Sequence, residues 1–467
     1  MPRFVFPGKM EQHYSAAWVE EQVAQTIDAW KACVLPFVPP SVRYTRSEQR
    51  KHEKAYDAGL RAVQREARRA PRNAAERLQA RQRIVALFPR FASVALGLQE
   101  EEVDLITTHF LPVGTQLARW ARAFDATLSN ADTIQACRNA WSCCGLQALL
   151  GQPMELTPSI LAYSLLYPYS DNFLDHPGLS GADKLHFSER FRQRLCGERL
   201  AAVDSHEASV WALVQLIEDQ YPRPRFPQVF DSLLAIHRAQ ERSMAQLNKR
   251  QRTSDRQEGS CEGALDDSEL LRISCAKGGT SVLADACLAQ PWLTAEEIRF
   301  SFDWGVLLQL GDDLQDVHED LRRGSATLFT RAIAQGKPLD GLVLQLLNFS
   351  RQIADRMDRM PNGTPTLKSL LRMSWRSLIL MAVADVHCFC SPAFLAEVEP
   401  CCAFRFSFLR ARNGEHAGRQ ALYETLFDAF LEAGTEQRGG LPLPTRPCSP
   451  PDVCSVAELP ALSNSFA

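Results

Sequence analysis

The chain has 467 residues, of which 45% are hydrophobic and 23% charged, with a formal net charge of −3 at pH 7. This is an ordinary globular composition, and the near-neutral charge gives no reason to expect nucleic acid or an acidic membrane as the main partner. The first residues contain no apolar segment of a secretory signal. No run approaches the roughly 18 apolar residues that a membrane span needs. We therefore expect a soluble, cytoplasmic protein with no stable membrane span.

Residues 1–95 are predicted to form an N-terminal helical extension. This region is strongly basic near its end, with nine arginines between Arg61 and Arg90 against two glutamates. A basic helix can contact RNA or anionic lipid, or it can present a solvated face while its apolar residues pack inward. The second interpretation needs no ligand, so we expect no nucleic-acid partner. Residues 416–467 are predicted to hold a C-terminal helix and a Pro- and Ser-rich disordered tail.

A tyrosine-rich helix is predicted to begin after Thr157, because a Thr-Pro pair is a good helix start. Its last part reads LAYSLLYPYSDNFLDHP, and we expect it to end near His176, just before a proline. Asp171 and Asp175 are spaced i,i+4, so both carboxylates lie on one face of this helix. One such pair is a weak signal. It gains meaning only if a second acidic helix faces it.

The most informative stretch reads GVLLQLGDDLQDVHED and carries five carboxylates in nine residues. Like charges four residues apart destabilise a helix by a few tenths of a kcal/mol each, so such a row needs a reason. The flanking residues are strongly apolar, which indicates a buried helix rather than a solvated one. Carboxylate oxygens favour Mg²⁺, a hard cation. We predict one helical run whose polar face consists of Gly305, Gln309, Asp312, Asp316, Glu319 and Asp320.

A pair of glycines, Gly278 and Gly279, interrupts an apolar helical pattern in CAKGGTSVLADACLAQP. Each glycine costs about 1 kcal/mol relative to alanine inside a helix. That cost is tolerated where a ligand comes close, where a helix breaks, or where two helices pack tightly. Lys277 adjoins the pair and could reach an anionic ligand or point to solvent.

The two acidic helices resemble the aspartate-rich motifs of class I isoprenoid synthases, the superfamily of trans-prenyl diphosphate synthases, squalene and phytoene synthases and class I terpene cyclases. The downstream run is similar to the second motif of the prenyl synthases, and the resemblance covers roughly residues 100–410. The upstream run departs from the DDxxD pattern, because Asn172 stands in its second position. The implied fold is an all-α, class I terpenoid-synthase-like helical bundle with a central cavity, which we assign to residues 96–415.

The resemblance implies that Mg²⁺, in three ions, clamps the diphosphate of a prenyl diphosphate and stabilises the charge that develops as it leaves. It gives a catalytic role to Asp313 and to every metal ligand except Asp320. The metal ligands that it implies are Asp171, Asp175, Asp312, Asp316 and Asp320.

Polar and cationic groups would hold the diphosphate, and aromatic faces would line a dry pocket for the allylic cation. Ser325 stands where the prenyl synthases have a diphosphate-binding lysine. Arginines just before it could bind phosphate oxygens or could simply complement a helix dipole. The implied diphosphate-binding residues are Gln309, Lys277, Arg322 and Arg323, and the implied pocket residues are Tyr163, Tyr167, Phe173, Gly278, Gly279 and Trp304.

A single diphosphate site is evident, because the chain lacks the N-terminal Gly-Gly-Lys-Arg-type segment that builds a second site in prenyl synthases. The leading hypothesis is therefore a terpene synthase that ionises one prenyl diphosphate and releases diphosphate and a terpene, cyclised or linear. The alternative enzyme is a prenyltransferase, acting by chain elongation or by squalene- or phytoene-type head-to-head condensation. A noncatalytic helical scaffold or binding protein also stays open. A homodimer is compatible with each of these.

Overall fold

The computed structural model describes residues 13–34, 36, 42–67, 73–176, 178–244 and 265–413. These residues form α-helices and no strand, which confirms the all-α prediction. The predicted C-terminal segment, 416–467, lies outside the described residues. The helices of the N-terminal half are α1 (Ala16–Ala32), α2 (Arg46–Ala67), α3 (Ala74–Leu96), α4 (Glu100–Leu105), α5 (Leu111–Phe124), α6 (Asn130–Leu149), α7 (Pro158–Asp175), α8 (Gly181–Leu195), α9 (Ser205–Gln220) and α10 (Pro227–Ser243).

The C-terminal half opens with two long helices that are buried along most of their length. Within the described part of the chain, no helix combines the length and the apolar character needed to cross a membrane. The helices of this half are α11 (Asp267–Ala289), α12 (Ala295–Gln315), α13 (Val317–Arg323), α14 (Leu328–Ala334), α15 (Asp340–Arg359), α16 (Pro365–Asp385), α17 (Pro392–Val398) and α18 (Phe406–Asn413).

Side-chain caps set the starts of the helices that matter for the site. The Thr157 side chain accepts a hydrogen bond from the Ile160 N–H, and Pro158 is the first helical residue of α7, as the Thr-Pro pair predicts. Thr294 and Glu297 form a capping box at the start of α12. These caps satisfy N–H groups that the first helical turn would otherwise leave unpaired.

Helix α11 lies between two hydrophobic clusters and contributes to both. One cluster contains Trp304 and Phe349 together with the buried faces of α1, α12, α15 and α16. The other combines α5, α6, α7, α9 and α10, and it includes Ala284 and Leu288 of α11. A helix that is apolar on nearly all sides is expected at the centre of a helical protein, and α11 has that position.

The arginine-rich helices α2 and α3 pack against each other, and α2 also contacts Arg405, just before α18. Arg83 Nε lies 2.7 Å from Glu66 Oε2. The Glu53 carboxylate, on α2, accepts a hydrogen bond of 2.8 Å from Arg405 Nε. Part of the charge in this region is therefore used in ion pairs.

Helices α11 and α12 approach each other at the glycine pair. A Cβ at Gly278 would lie 2.9 Å from the carbonyl carbon of Gly305 and 2.5 Å from the Cβ of Gln309. A Cβ at Gly279 would lie 2.6 Å from the ring of Phe302. Since these distances are shorter than carbon atoms tolerate, the glycines are required for tight helix packing. Of the possibilities that the glycine pair leaves open, a helix break does not occur, because α11 runs through both glycines without interruption.

A buried carboxylate ties α1, α12 and α15 together. Asp303, 2% exposed, accepts hydrogen bonds from Thr26 Oγ1 at 2.8 Å, from Arg299 Nε at 2.9 Å and from Arg356 Nη1 at 2.8 Å. Two guanidinium groups thus balance one carboxylate inside the protein. Such a pair is strongly destabilising to break from one side, because the remaining charge stays buried.

We expect Asp303→Asn to lower the free energy of unfolding by about 3 kcal/mol, since it leaves two arginines without their carboxylate. Urea unfolding followed by circular dichroism measures this loss. The control is Asp358→Asn, which removes a carboxylate whose pair with Arg372 is about half exposed on both sides and should cost at most about 1 kcal/mol. Equal losses in the two variants would contradict this account of Asp303.

We expect Gly278→Ala to cost about 1–3 kcal/mol in unfolding free energy, because the added methyl group overpacks the α11–α12 contact. The matched control is Gly341→Ala in the first turn of α15, where a Cβ would meet no heavy atom within 4 Å. That control should leave stability unchanged or slightly higher. Thermal unfolding of both variants decides the point, and a Gly278→Ala protein as stable as the control would show that the contact can relax.

Candidate functional site

The structure brings the two acidic segments to the same lysine. Asp171 of α7 lies 3.4 Å from Lys277 Nζ of α11, measured from Asp171 Oδ2. Their side chains are 8% and 21% exposed. Burial raises the pKa of Asp312 and of Asp313 on α12, and the positive charge of Lys277 partly offsets this rise in both. Residues far apart in sequence therefore meet where α7, α11 and α12 come together.

Asp313 and Gln309 have a positioning role in this cluster. The Asp313 carboxylate is 7% exposed and accepts hydrogen bonds from Gln309 Nε2 at 2.8 Å and from Ser274 Oγ at 2.7 Å. Burial is the main cause that raises its pKa. Asp313 thus links α12 to Ser274 of α11, while its hydrogen bond with Gln309 lies within α12. The Gln309 amide is directed at Asp313 rather than held open for a ligand.

Asp312 and Asp316 are exposed, whereas Asp171 and Asp313 of the same cluster are buried. Burial within the surrounding protein raises the pKa of Asp312 to about 7, and repulsion from Asp316 and Asp313 adds to this effect. Arg138 of α6 opposes it for both exposed carboxylates. No sequence motif singles out Arg138, because α6 carries no repeated pattern of charge; only its place opposite α12 reveals it.

The acidic stretch is not one continuous helix. Helix α12 ends at Gln315, Asp316 has a backbone φ of −89° and ψ of 7°, and α13 begins at Val317. The single helical run that the sequence predicts is therefore interrupted at Asp316. Beyond the junction, the pKa of Asp320 is raised to about 7. Burial is the main cause, repulsion from Asp313 and Asp316 adds to it, and a hydrogen bond from Ser325 partly offsets it.

Arg322 and Arg323 lie at the C-terminal end of α13, and both are exposed. Arg323 forms an ion pair with Glu319 of the same helix. Burial raises the pKa of Asp316 and of Asp320, and the charge of Arg323 partly offsets this rise. This arrangement matches cations that complement a helix C-terminus. Arg323 is near enough to the carboxylates to contribute to the site, whereas no contact places Arg322 there.

Two of the aromatic residues assigned to the pocket, Phe173 and Trp304, make packing contacts in different parts of the bundle. Phe173 stacks on His206 with ring centroids 4.2 Å apart, in the cluster of α7, α8 and α9. Trp304 is 1% exposed and packs against Trp375, with centroids 5.3 Å apart, in the other cluster. The two rings thus pack in different hydrophobic clusters. Their assignment to a pocket stays a prediction.

The tyrosines fit the predicted pocket better. Tyr163 and Tyr167 are half-buried on the same face of α7 as Asp171. Tyr167 lies about one turn before Asp171, and Tyr163 lies about two turns before it. The Tyr163 hydroxyl donates a hydrogen bond of 3.2 Å to the Ser281 carbonyl oxygen of α11. The phenol ring of Tyr163 therefore lies between α7 and α11, beneath the Asp171–Lys277 contact.

In the described residues, no three His, Cys, Asp or Glu side chains form a group that could hold a metal ion by themselves. The side chain of Asp175 lies outside the described residues, so the structure does not place that predicted ligand. Mg²⁺ commonly uses one or two carboxylates, several waters and substrate phosphates. Asp171, Asp312 and Asp316 do not form one joint ligand group, and binding through one or two of them with waters and phosphates would suit this arrangement.

A second, deeper polar group was not predicted from the sequence. Asp285 of α11 is 1% exposed, and its Oδ1 accepts hydrogen bonds from Asn139 Nδ2 at 3.0 Å and from Cys143 Sγ at 2.8 Å. Burial raises the pKa of Asp285 to about 7. The sequence around it, SVLADACLAQP, reads as an ordinary core helix with one polar interruption.

No protein-family model, curated protein or solved structure matches this chain. The evidence for a function therefore lies in the carboxylates around Lys277 and in their arrangement.

The buried carboxyl of Asp285 predicts a specific pH dependence. Its pKa is about 7 when folded against an ordinary 3.8, so its contribution to stability is complete below about pH 4 and is lost as the pH rises to 7. In Asp285→Asn this loss is absent. Relative to the original chain, the unfolding free energy of the variant should rise by about 3 kcal/mol between pH 5 and pH 8.

Urea unfolding at several pH values measures this difference. Asp358→Asn serves as the control and should follow the curve of the original chain in parallel. A constant offset between Asp285→Asn and the original chain would mean that Asp285 does not titrate in this range.

Proposed function

We propose that the protein is a Mg²⁺-dependent class I terpene synthase that ionises one prenyl diphosphate. The observation that carries this proposal is the meeting of Asp171 with the acidic end of α12 around Lys277. Facing carboxylates from two separate helices, with a cation between them, are the arrangement by which a helical bundle can bind a metal and a phosphate together.

The balance of charge supports a divalent cation. Burial and mutual repulsion raise the pKa of Asp312 and of Asp320 to about 7. The positive charges of Lys277 and Arg138 only partly offset the repulsion at Asp312. A hard dication would remove it, and the donor set of carboxylate oxygens fits Mg²⁺. When bound, Mg²⁺ would neutralise the charge of the departing diphosphate.

The accessibility of the site residues supports a cavity between the helices. Asp312 is exposed to water, yet desolvation by the surrounding protein is the first cause of its raised pKa. Tyr163 shows the same combination of a partly exposed ring and strong desolvation. A side chain can meet both conditions when it lines a water-filled recess inside the protein. We call the space between Tyr163, Asn139, Ser281 and Lys277 the recess, and we take it as the prenyl-chain pocket.

The residues of this chain would divide the work along the recess. Lys277 and Arg138 would bind phosphate oxygens and hold the leaving group at the acidic end. Asp313 would keep Gln309 and Ser274 in place, so that α12 presents Asp312 and Asp316 in a fixed direction. The faces of Tyr163 and Tyr167 would attract the allylic cation.

The direct test measures release of inorganic diphosphate from geranyl, farnesyl and geranylgeranyl diphosphates, each alone, with Mg²⁺ or with chelator, followed by hydrocarbon analysis. We expect Mg²⁺-dependent release with at least one substrate. Asp171→Asn and Asp312→Asn should lower kcat/KM at least about a hundredfold, because each removes a group that stabilises the developing charge. Asp358→Asn, a surface carboxylate-to-amide change, should retain full activity.

The outcomes separate the candidate functions. Release that requires added isopentenyl diphosphate would favour chain elongation over a single-substrate synthase. Release that is unaffected by chelator, or equal in Asp312→Asn and Asp358→Asn, would contradict the proposed site. No release under any condition would favour a noncatalytic scaffold. Circular dichroism of each variant shows whether a loss of activity follows from loss of fold.

A further inference from the structure

A polar stripe runs along α11 from the acidic site into the protein. Lys277, Ser281 and Asp285 are spaced four residues apart, so they lie on one face of the helix. Eight residues of α-helix span about 12 Å. Lys277 contacts Asp171 at one end of the stripe, and Asp285 occupies the other end.

Asp285 is only half satisfied by its neighbours. Its Oδ1 accepts hydrogen bonds from Asn139 and Cys143, while its Oδ2 is buried and has no hydrogen-bond partner among the described residues. The titratable groups that face it are Cys143 of α6 and Tyr163 of α7, and burial raises the pKa of both. No arginine or lysine is paired with this carboxylate in the described structure. A buried carboxylate without a cation is costly, so its presence points to a ligand.

The side chains around Asp285 also border the recess. Asn139, Tyr163 and Ser281 are each partly exposed, although they lie within the bundle. The Tyr163 hydroxyl is close enough to two carboxylates, Asp285 and Asp171, for both to raise its pKa. The recess therefore has a carboxylate at each end, and Asp285 lies behind its deep wall.

We infer that Asp285 is a specificity-determining residue that attracts positive charge on the hydrocarbon chain of the ligand to the deep end of the recess. This inference rests on the proposed function, because an ionising prenyl diphosphate is what would develop such a charge. Asp285 acts through space and through Asn139 and Tyr163. It is a positioning residue that need not touch the reacting atoms.

The physical basis is the weak screening inside the protein. Opposite charges attract far more strongly there than in water, and the attraction acts over several ångströms. A cation in the recess would favour the ionised form of Asp285 and so strengthen the attraction. The acidic end would at the same time hold the diphosphate, so the two ends of the ligand would be fixed independently.

The test compares two stable ligands of the same shape. One is a prenyl-chain analogue with a tertiary ammonium group in place of a chain carbon, and the other is its uncharged carbon isostere. Each is titrated by calorimetry in the presence of Mg²⁺ and inorganic diphosphate. We expect the original chain to bind the ammonium compound about tenfold more tightly than the isostere. Asp285→Asn should abolish this preference while leaving the affinity for the isostere unchanged.

Asp358→Asn is the matched control and should retain the preference. A merely structural role of Asp285 would weaken both ligands alike, and that result would overturn the inference. The absence of any preference in the original chain would overturn it as well. Since binding is measured without turnover, failure of diphosphate release would refute the proposed function by a separate readout. In an active enzyme, Asp285→Asn should also change the distribution of hydrocarbon products at an unchanged KM.

Discussion

The close approach of α11 and α12 is the constraint on which the rest of the site depends. Because Gly278 and Gly305 have no side chains, the two backbones come within a distance that any Cβ would prevent. Ser274 and Lys277, in the turn of α11 just before this contact, are thereby placed beside Asp313 and its neighbours. The glycines thus serve the site indirectly, by setting how far apart its two helices stand.

Positive and negative side chains are distributed unevenly around α12. Around Asp303 two arginines face one carboxylate, and the group joins three helices as a structural tie. Around Asp312 the proportions are reversed, because several carboxylates share Lys277 and Arg138. Perturbed carboxylates of this second kind are found more often at functional sites than in structural pairs. The contrast inside one helix, α12, separates the end that holds a structural ion pair from the end where we propose the site.

Sequence patterns were sufficient for the helical class and for the start of α7 after Thr157. They failed where the outcome depended on packing between distant segments. The spacing of Gly278 and Gly279 is the same for a broken helix and for a tight contact, and only Gly305 on the facing helix distinguishes them. Arg138 was missed because one arginine in α6 has no pattern.

The same limit explains why Asp285 went unnoticed, and it shows what the arrangement requires. A helix at the centre of a core is most stable with apolar residues on every face. Helix α11 departs from this rule along one stripe, at Lys277, Ser281 and Asp285, which faces α6 and α7. The stripe has a lysine at one end and an aspartate at the other. The proposed ligand, with an anionic head and a chain that develops positive charge, would complement both ends, which would explain why a central helix carries these residues.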